Sequence, residues 1–295
     1  MSAPAPWHLT GQGWIIPLRT PFSATPVPIP PAAYAPLERG STADQSHRFH
    51  GGVGFVMLVR YKTSNVGPYD ELIYVPGLFS RRPRQTRTDA TTAEPVEYFP
   101  SITRIYVSTD ESVYNGRKNW GIPKHRADFN FSSDPADPAS TSVRVSLPPP
   151  DPASSISPFF ACRLRNSALT PFCVPVATTW LDSVLAQKLT RNYEPALLQP
   201  PLPAAEAAKV SVQGATSHAN GAETASATTY LVKPVSKGWA RLARIDPLSQ
   251  EHTGTHLPGY GDGDAFPQFQ PWFQRFNFYL PEFEMQFPIP LEGVD

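Results

Sequence analysis

Lys124 carries the most distinctive chemistry this sequence offers. It ends the run Gly116-Arg117-Lys118-Asn119-Trp120-Gly121-Ile122-Pro123-Lys124. An amine attacks a carbonyl only when neutral, and a free lysine at neutral pH is almost wholly protonated. Burial in an apolar site, or a cation nearby, releases the lone pair. Trp120, Gly121, Ile122 and Pro123 are apolar, and Arg117, His125 and Arg126 are candidate cations. The iminium formed on such a lysine draws electrons from the neighbouring carbon, which supports decarboxylation of a β-keto acid, aldol chemistry or dehydration. Taken alone, however, a lysine in a Pro-Lys-His turn favours the solvated surface, where most lysines lie. Other candidates are weaker. His47-x-x-His50 offers two metal ligands without a third. His252 and His256 stand four apart, but the Thr-Gly-Thr between them argues against a helix and therefore against zinc. The run 259–264 lacks the spacing of a calcium loop. Asp182 and Ser183 follow Trp180 without a nucleophile elbow.

The elements that would position Lys124 are strands. Residues 51–63 form the clearest one: apolar side chains fill both faces, so this strand belongs in the middle of a sheet. Val66-Gly67-Pro68 makes a turn into an antiparallel neighbour at 69–76. Residues 102–108 form a strand that runs into Thr109, an N-cap, with Asp110 and Glu111 in the first turn of a short helix ending near Gly116. Further strands are expected at 11–19, 129–131, 142–147, 159–164, 172–176 and 209–213. Residues 228–235 and 239–246 read as a hairpin, 31–37 as a short helix, and 178–186 as either a strand or a helix. In 276–287 the alternation of Phe276, Phe278 and Leu280 slips at Pro281 before Phe283, Met285 and Phe287, which calls for a bulge there.

Composition narrows the class. The 295 residues hold 36 prolines and a wealth of aromatics, favouring short strands over helices. Charged residues make up 17% with a net charge of +0, which argues against a nucleic-acid partner. No apolar run reaches the ~18–20 residues of a membrane helix, and no secretory signal is visible at the N-terminus, so a cytoplasmic protein without a membrane partner is expected. Cys162 and Cys173 are expected as two buried thiols. Residues 1–10 read as a loose arm and 79–95, with Arg81, Arg82, Arg84 and Arg87, as a solvated loop. No linker divides residues 1–295, so one domain is expected, with Pro/Ala/Ser-rich inserts near 20–50, 133–155 and 199–227.

Gly67-Pro68-Tyr69-x-Glu71, followed by Gly116-Arg117-x-x-Trp120-Gly121-x-Pro123-Lys124, resembles the acetoacetate decarboxylase-like superfamily. There the pattern runs roughly Gly-Pro-Tyr-x-Glu, then Gly-Arg-Glu-x-Trp-Gly-x-Pro-Lys-Lys. The resemblance covers about residues 52–128, with a faint extension to Leu280-Pro281. It implies a mainly β (α+β) fold, a cone-shaped, largely antiparallel β-barrel with a few short helices, whose interior is the pocket. Phe55, Met57, Tyr69 and Trp120 then become candidates for its lining. It implies Lys124 as the Schiff-base lysine, Glu71 as the acid–base or orienting group, and His125 as modulator in place of the family's second lysine. It implies no cofactor or metal, a small-molecule carbonyl substrate and a homo-oligomer. Three departures count against acetoacetate itself. The family's second glutamate falls near Val56, its substrate-binding arginine falls about Gly11-Gln12-Gly13, and Lys118 replaces the glutamate after Gly-Arg. The expected function is therefore Schiff-base chemistry on a β-keto acid or a larger ketone or aldehyde. The rival is a pocket that keeps the barrel without imine chemistry, as in a cyclase, an isomerase or a small-molecule binder.

Overall fold

The computed structural model describes residues 2–81, 96–134, 137–149, 157–166, 172–182, 196–205, 224–248, 259–273 and 276–293. Outside them lie Arg82, Arg84, Arg87, Ser183, His252, His256 and the strand expected at 209–213.

The protein is mainly β. In chain order its elements are β1 (Trp7–Thr20), β2 (Phe49–Thr63), β3 (Tyr69–Val75), β4 (Leu78–Arg81), β5 (Glu97–Pro100), β6 (Arg104–Val107), α1 (Asp110–Trp120), β7 (Lys124–Arg126), β8 (Asp128–Asp134) and β9 (Asp137–Ser146). They continue with β10 (Phe160–Asn166), β11 (Val174–Ala177), β12 (Leu197–Gln199), β13 (Tyr230–Val232), β14 (Val235–Pro247), β15 (Asn277–Phe287) and β16 (Leu291–Glu292). Ten strands follow one hydrogen-bonded path, β7-β6-β3-β2-β1-β15-β14-β10-β9-β8. Its two ends, β7 and β8, are separated in sequence by Ala127 alone. The right-handed twist of the strands must therefore accumulate until the edges meet, and the sheet becomes a nearly closed mixed barrel. Among the described residues only β6 and β7 pair in parallel. A parallel pair cannot be joined by a tight turn, and α1 supplies the crossover.

The two faces of the sheet carry separate apolar layers. Even-numbered residues of β1 and β2, such as Trp14, Ile16, Val56 and Leu58, join Val143, Phe160 and Ile245 in one packed layer. Odd-numbered residues of the same strands, including Leu9, Ile15, Met57 and Tyr61, face the other layer with Ile73, Ile105 and Trp120. Burial on both faces explains why 51–63 is apolar throughout: β2 lies between β1 and β3. In β15 the face switches at Pro281. There the pairing with β1 jumps from Gly13↔Leu280 to Gly11↔Phe283, so the bulge falls where the alternation slips.

Several local expectations are corrected. Helix α1 runs to Trp120, a turn beyond Gly116, and stops at Gly121, whose φ of 60° is left-handed. That conformation turns the Gly121 and Ile122 amides back onto the Arg117 and Gly116 carbonyls. Residues 31–37 form turns, not a helix. The segments at 228–246 do not make a hairpin: β13 pairs with β12 and β16, whereas β14 pairs with β10, β11 and β15. Of the segment 178–186, expected as a strand or a helix, the described residues Thr178–Asp182 form a 3-10 helix. The N-terminal arm is pinned, since the Ala3 amide donates to Asn115 Oδ1 at 2.7 Å and its carbonyl accepts from Asn119 and from the Trp7 indole. Cys162 is buried and free, and Cys173 is free but only half-buried. No helix among the described residues is long and apolar enough to cross a membrane.

Candidate active site

Lys124 is buried, with 5% of its surface exposed, despite its place after a proline turn. It is the first residue of β7, paired with Ile105 of β6. Strand alternation turns its side chain to the same face as Glu71 of β3, itself 4% exposed. Lys124 Nζ donates to Glu71 Oε2 at 2.7 Å and to Ser112 Oγ at 3.0 Å, and it lies 5.1 Å from the centre of the Tyr69 ring. Tyr61, opposite Tyr69 in the β2–β3 register, donates to Glu71 Oε1 at 3.2 Å.

Helix α1 delivers this arrangement from above. Thr109 caps it, its hydroxyl accepting from the Ser112 amide. Ser112 and Gly116 then stand four apart on one helix face, and both meet the lysine. A Cβ at Gly116 would lie 2.7 Å from Lys124 Cε and closer still to Cδ. Gly116 is therefore the channel through which the lysine passes, not the end of the helix. Gly116→Ala should displace the lysine. Overpacking of about 1–3 kcal/mol exceeds the roughly 0.5–1 kcal/mol gained in helix propensity, so a lowered midpoint in chemical denaturation and slower modification of Lys124 are expected together.

The amine opens into a cavity of about 580 Å³. Phe55, Met57, Tyr69 and Trp120 all line it, alongside the bulge residues Leu280 and Phe283. Edge-to-face contacts of Trp120 with Trp7 and Phe287, at 5.1 and 4.9 Å, build one wall. None of the residues lining the cavity belongs to the layer of Trp14 and Phe160, so the pocket occupies one face of the sheet and that apolar layer the other. Lys124 and Glu71 are the only charged residues in the lining among the described residues.

The candidate cations Arg117, His125 and Arg126 have partners away from the amine. Lys124 has an anion as its neighbour, not a cation. His125, one residue on, points to the opposite side of β7 and does not line the cavity; its Nε2 lies 2.8 Å from Glu38 Oε2. Arg117 also serves Glu38, at 3.0 Å. Arg126 reaches Asp128 at 3.0 Å. The departures from the family pattern also find their places. Val56 faces away from the cavity. The stretch Gly11-Gln12-Gly13 adds no cation to the described lining.

Sequence reasoning missed Ser112, Tyr61 and Glu38. Tyr61 was findable, since a two-residue period from Glu71 through Tyr69 and across the turn places it on the same face. Glu38 lies in an irregular stretch with no period to follow.

Burial, then the Glu71 charge, pushes the Tyr61 and Tyr69 hydroxyls well above their ordinary value of 10.0. Above about that pH the unfolded chain loses these protons while the folded chain keeps them, so this contribution to stability is present below it and lost as pH rises. Denaturant midpoints should fall in alkali, and less steeply for Tyr61→Phe.

No family model matches the chain, and no curated protein does. Among solved structures, the chain is similar to acetoacetate decarboxylase from Legionella pneumophila, with 10% identity and a TM-score of 0.47 over 98% of this chain and 87% of that one. It is similar also to the enduracididine biosynthesis enzyme MppR complexed with pyruvate, with 11% identity and a TM-score of 0.47 over 100% and 93%.

Proposed function

We propose that this protein is an enzyme that holds a carbonyl substrate as a Schiff base on Lys124, with Glu71 as its acid–base partner. One observation carries the reading: a buried amine 2.7 Å from a buried carboxylate, facing an apolar cavity. Glu71 takes a proton from the ammonium, the free amine adds to the carbonyl carbon, and Glu71 returns the proton as the oxygen departs in water. Ammonium and carbonyl become iminium and water, with charge conserved. The iminium then supports carbon–carbon cleavage or dehydration at the adjacent carbon, without an organic cofactor. Tyr61 orients the carboxylate and Ser112 orients the amine. The sequence resemblance, which sets Lys124 and Glu71 on the family's lysine and glutamate positions, supports the same roles.

Borohydride reduction in the presence of β-keto acids, ketones and aldehydes tests it. A stable mass adduct mapping to Lys124 and absent from Lys124→Ala is the expected result. A second reading is favoured by the Lys124–Glu71 ion pair, in which each charge already satisfies the other: a pocket that binds an apolar ligand and leaves the amine unreacted. Activity that survives Lys124→Ala, with no adduct in the native protein, would establish that reading in place of the first.

A further inference from the structure

From the distribution of polar atoms in the cavity we infer that the substrate is a neutral aldehyde or ketone with a long apolar body, not a keto acid. The inference rests on the Schiff-base reading above and goes beyond it to the substrate class.

The polar groups of the lining are unevenly placed. Tyr61, Tyr69, Glu71 and Lys124 form one cluster, tied together by the hydrogen bonds around the amine. Thr178 and Ser236 are the other polar lining residues among those described, and they stand on the segments that carry the exposed rim. That rim is marked by Trp180 and Phe278, 56% and 38% exposed. The apolar lining includes Leu9, Ile15, Phe55, Met57, Phe283 and Met285. A ligand that fits this pattern has one polar head and an apolar body.

The head is uncharged. A carboxylate leaves water only for a cation that it can pair with. The one cation in the described lining, Lys124, is already paired at 2.7 Å, and a second carboxylate would meet Glu71. About Gly11-Gln12-Gly13, where the resemblance would place a clamp, no cation joins the described lining. A cavity of about 580 Å³ falls in the range that encloses drug-sized ligands, so a small carbonyl compound would leave it largely empty. With no free carboxylate to lose, the iminium of a neutral β-hydroxy carbonyl compound is left with two routes. In retro-aldol cleavage Glu71 takes the hydroxyl proton, the Cα–Cβ bond breaks, one carbonyl compound leaves and the bonding electrons form an enamine that Glu71 reprotonates at carbon. In dehydration Glu71 takes the α-proton and the β-hydroxyl leaves as water with it. In both, water then adds to the remaining iminium, which returns the amine and releases the product carbonyl.

The test uses the whole protein. Straight-chain aldehydes from butanal to dodecanal, and separately acetoacetate and pyruvate, are incubated with it and trapped with borohydride. Adducts are counted on the Lys124 peptide, so surface lysines do not contribute. The half-saturating concentration should fall by about fourfold per added methylene until the cavity is filled, and the keto acids should trap poorly at equal concentration. Efficient trapping of the keto acids, with no dependence on aldehyde length, would overturn the substrate class and leave the Schiff base standing. Failure of every carbonyl compound to trap would overturn the Schiff base and this inference with it. Displacement of the neutral dye Nile red by long-chain alcohols would then show whether the cavity is apolar and accessible without the imine.

Discussion

Glu38→Ala is expected to lower stability by about 3–5 kcal/mol, the cost of breaking a buried ion pair from one side. Glu38 and Arg117 are both fully buried and meet at 3.0 Å, with His125 at 2.8 Å on the other carboxylate oxygen. Without Glu38 the guanidinium keeps, among the described residues, only the carbonyls of Pro203 and Lys124. The damage reaches the site because Arg117 belongs to the helix that positions Ser112 and Gly116, while His125 adjoins Lys124. Glu38 thus braces the segment that carries Lys124 from the side away from the cavity, and no residue of 20–50 lines that cavity. Burial alone would push the Glu38 carboxyl up, but the hydrogen bond and charge of His125 and the Arg117 guanidinium outweigh it and hold the group below its ordinary 4.5. Between those two values the unfolded chain binds the proton and the folded chain does not. The stabilisation is therefore present above about 4.5 and lost as pH falls through the lower folded value. Urea titrations across the acid range check this: Glu38→Gln should flatten the pH dependence and cost less than Glu38→Ala at neutral pH. Equal stability of Glu38→Ala and the native protein would dismiss the bracing role.

The Lys124–Glu71 pair should behave in the opposite way. Lys124→Met alone leaves Glu71 buried without its cation and is expected to destabilise, by less than the same break at Glu38 because the pair borders a cavity. Lys124→Met with Glu71→Leu removes both charges. Replacing a buried ion pair by apolar residues of similar volume is commonly neutral or stabilising by about 1–4 kcal/mol, and here the lining is already apolar. The double variant should therefore unfold at equal or higher denaturant concentration than the native protein while losing all adduct formation. That combination would mean that the pair is kept for chemistry at the expense of stability. A double variant clearly less stable than the native protein would make the pair a structural one.

Much of this architecture was legible from local pattern. Alternation in 51–63 announced a strand covered on both faces, and the slip at Pro281 announced a bulge, because side-chain direction in a strand has a strict period of two. Thr109 with Asp110 and Glu111 announced the start of α1, because unpaired amides there need a cap. The end of α1 lies beyond Gly116, because that glycine's missing Cβ is required by a lysine from another element and does not end the helix. The hairpin at 228–246 failed because strand pairing partners are chosen across the whole sheet, and β14 finds three of them far away in sequence.

The site divides along the same line. The sequence by itself determined which groups can react: an amine at 124, a carboxylate at 71, and a Tyr-x-Glu period that puts Tyr69 beside it. Only the tertiary structure decided what surrounds them, because burial and charge pairing depend on residues brought together through space. It buried the amine that a Pro-Lys-His turn would leave exposed, set it against the Glu71 carboxylate, and paired the candidate cations Arg117, His125 and Arg126 elsewhere. It turned His125 to the other side of β7, where Glu38 receives it, and left the face toward the cavity to Lys124.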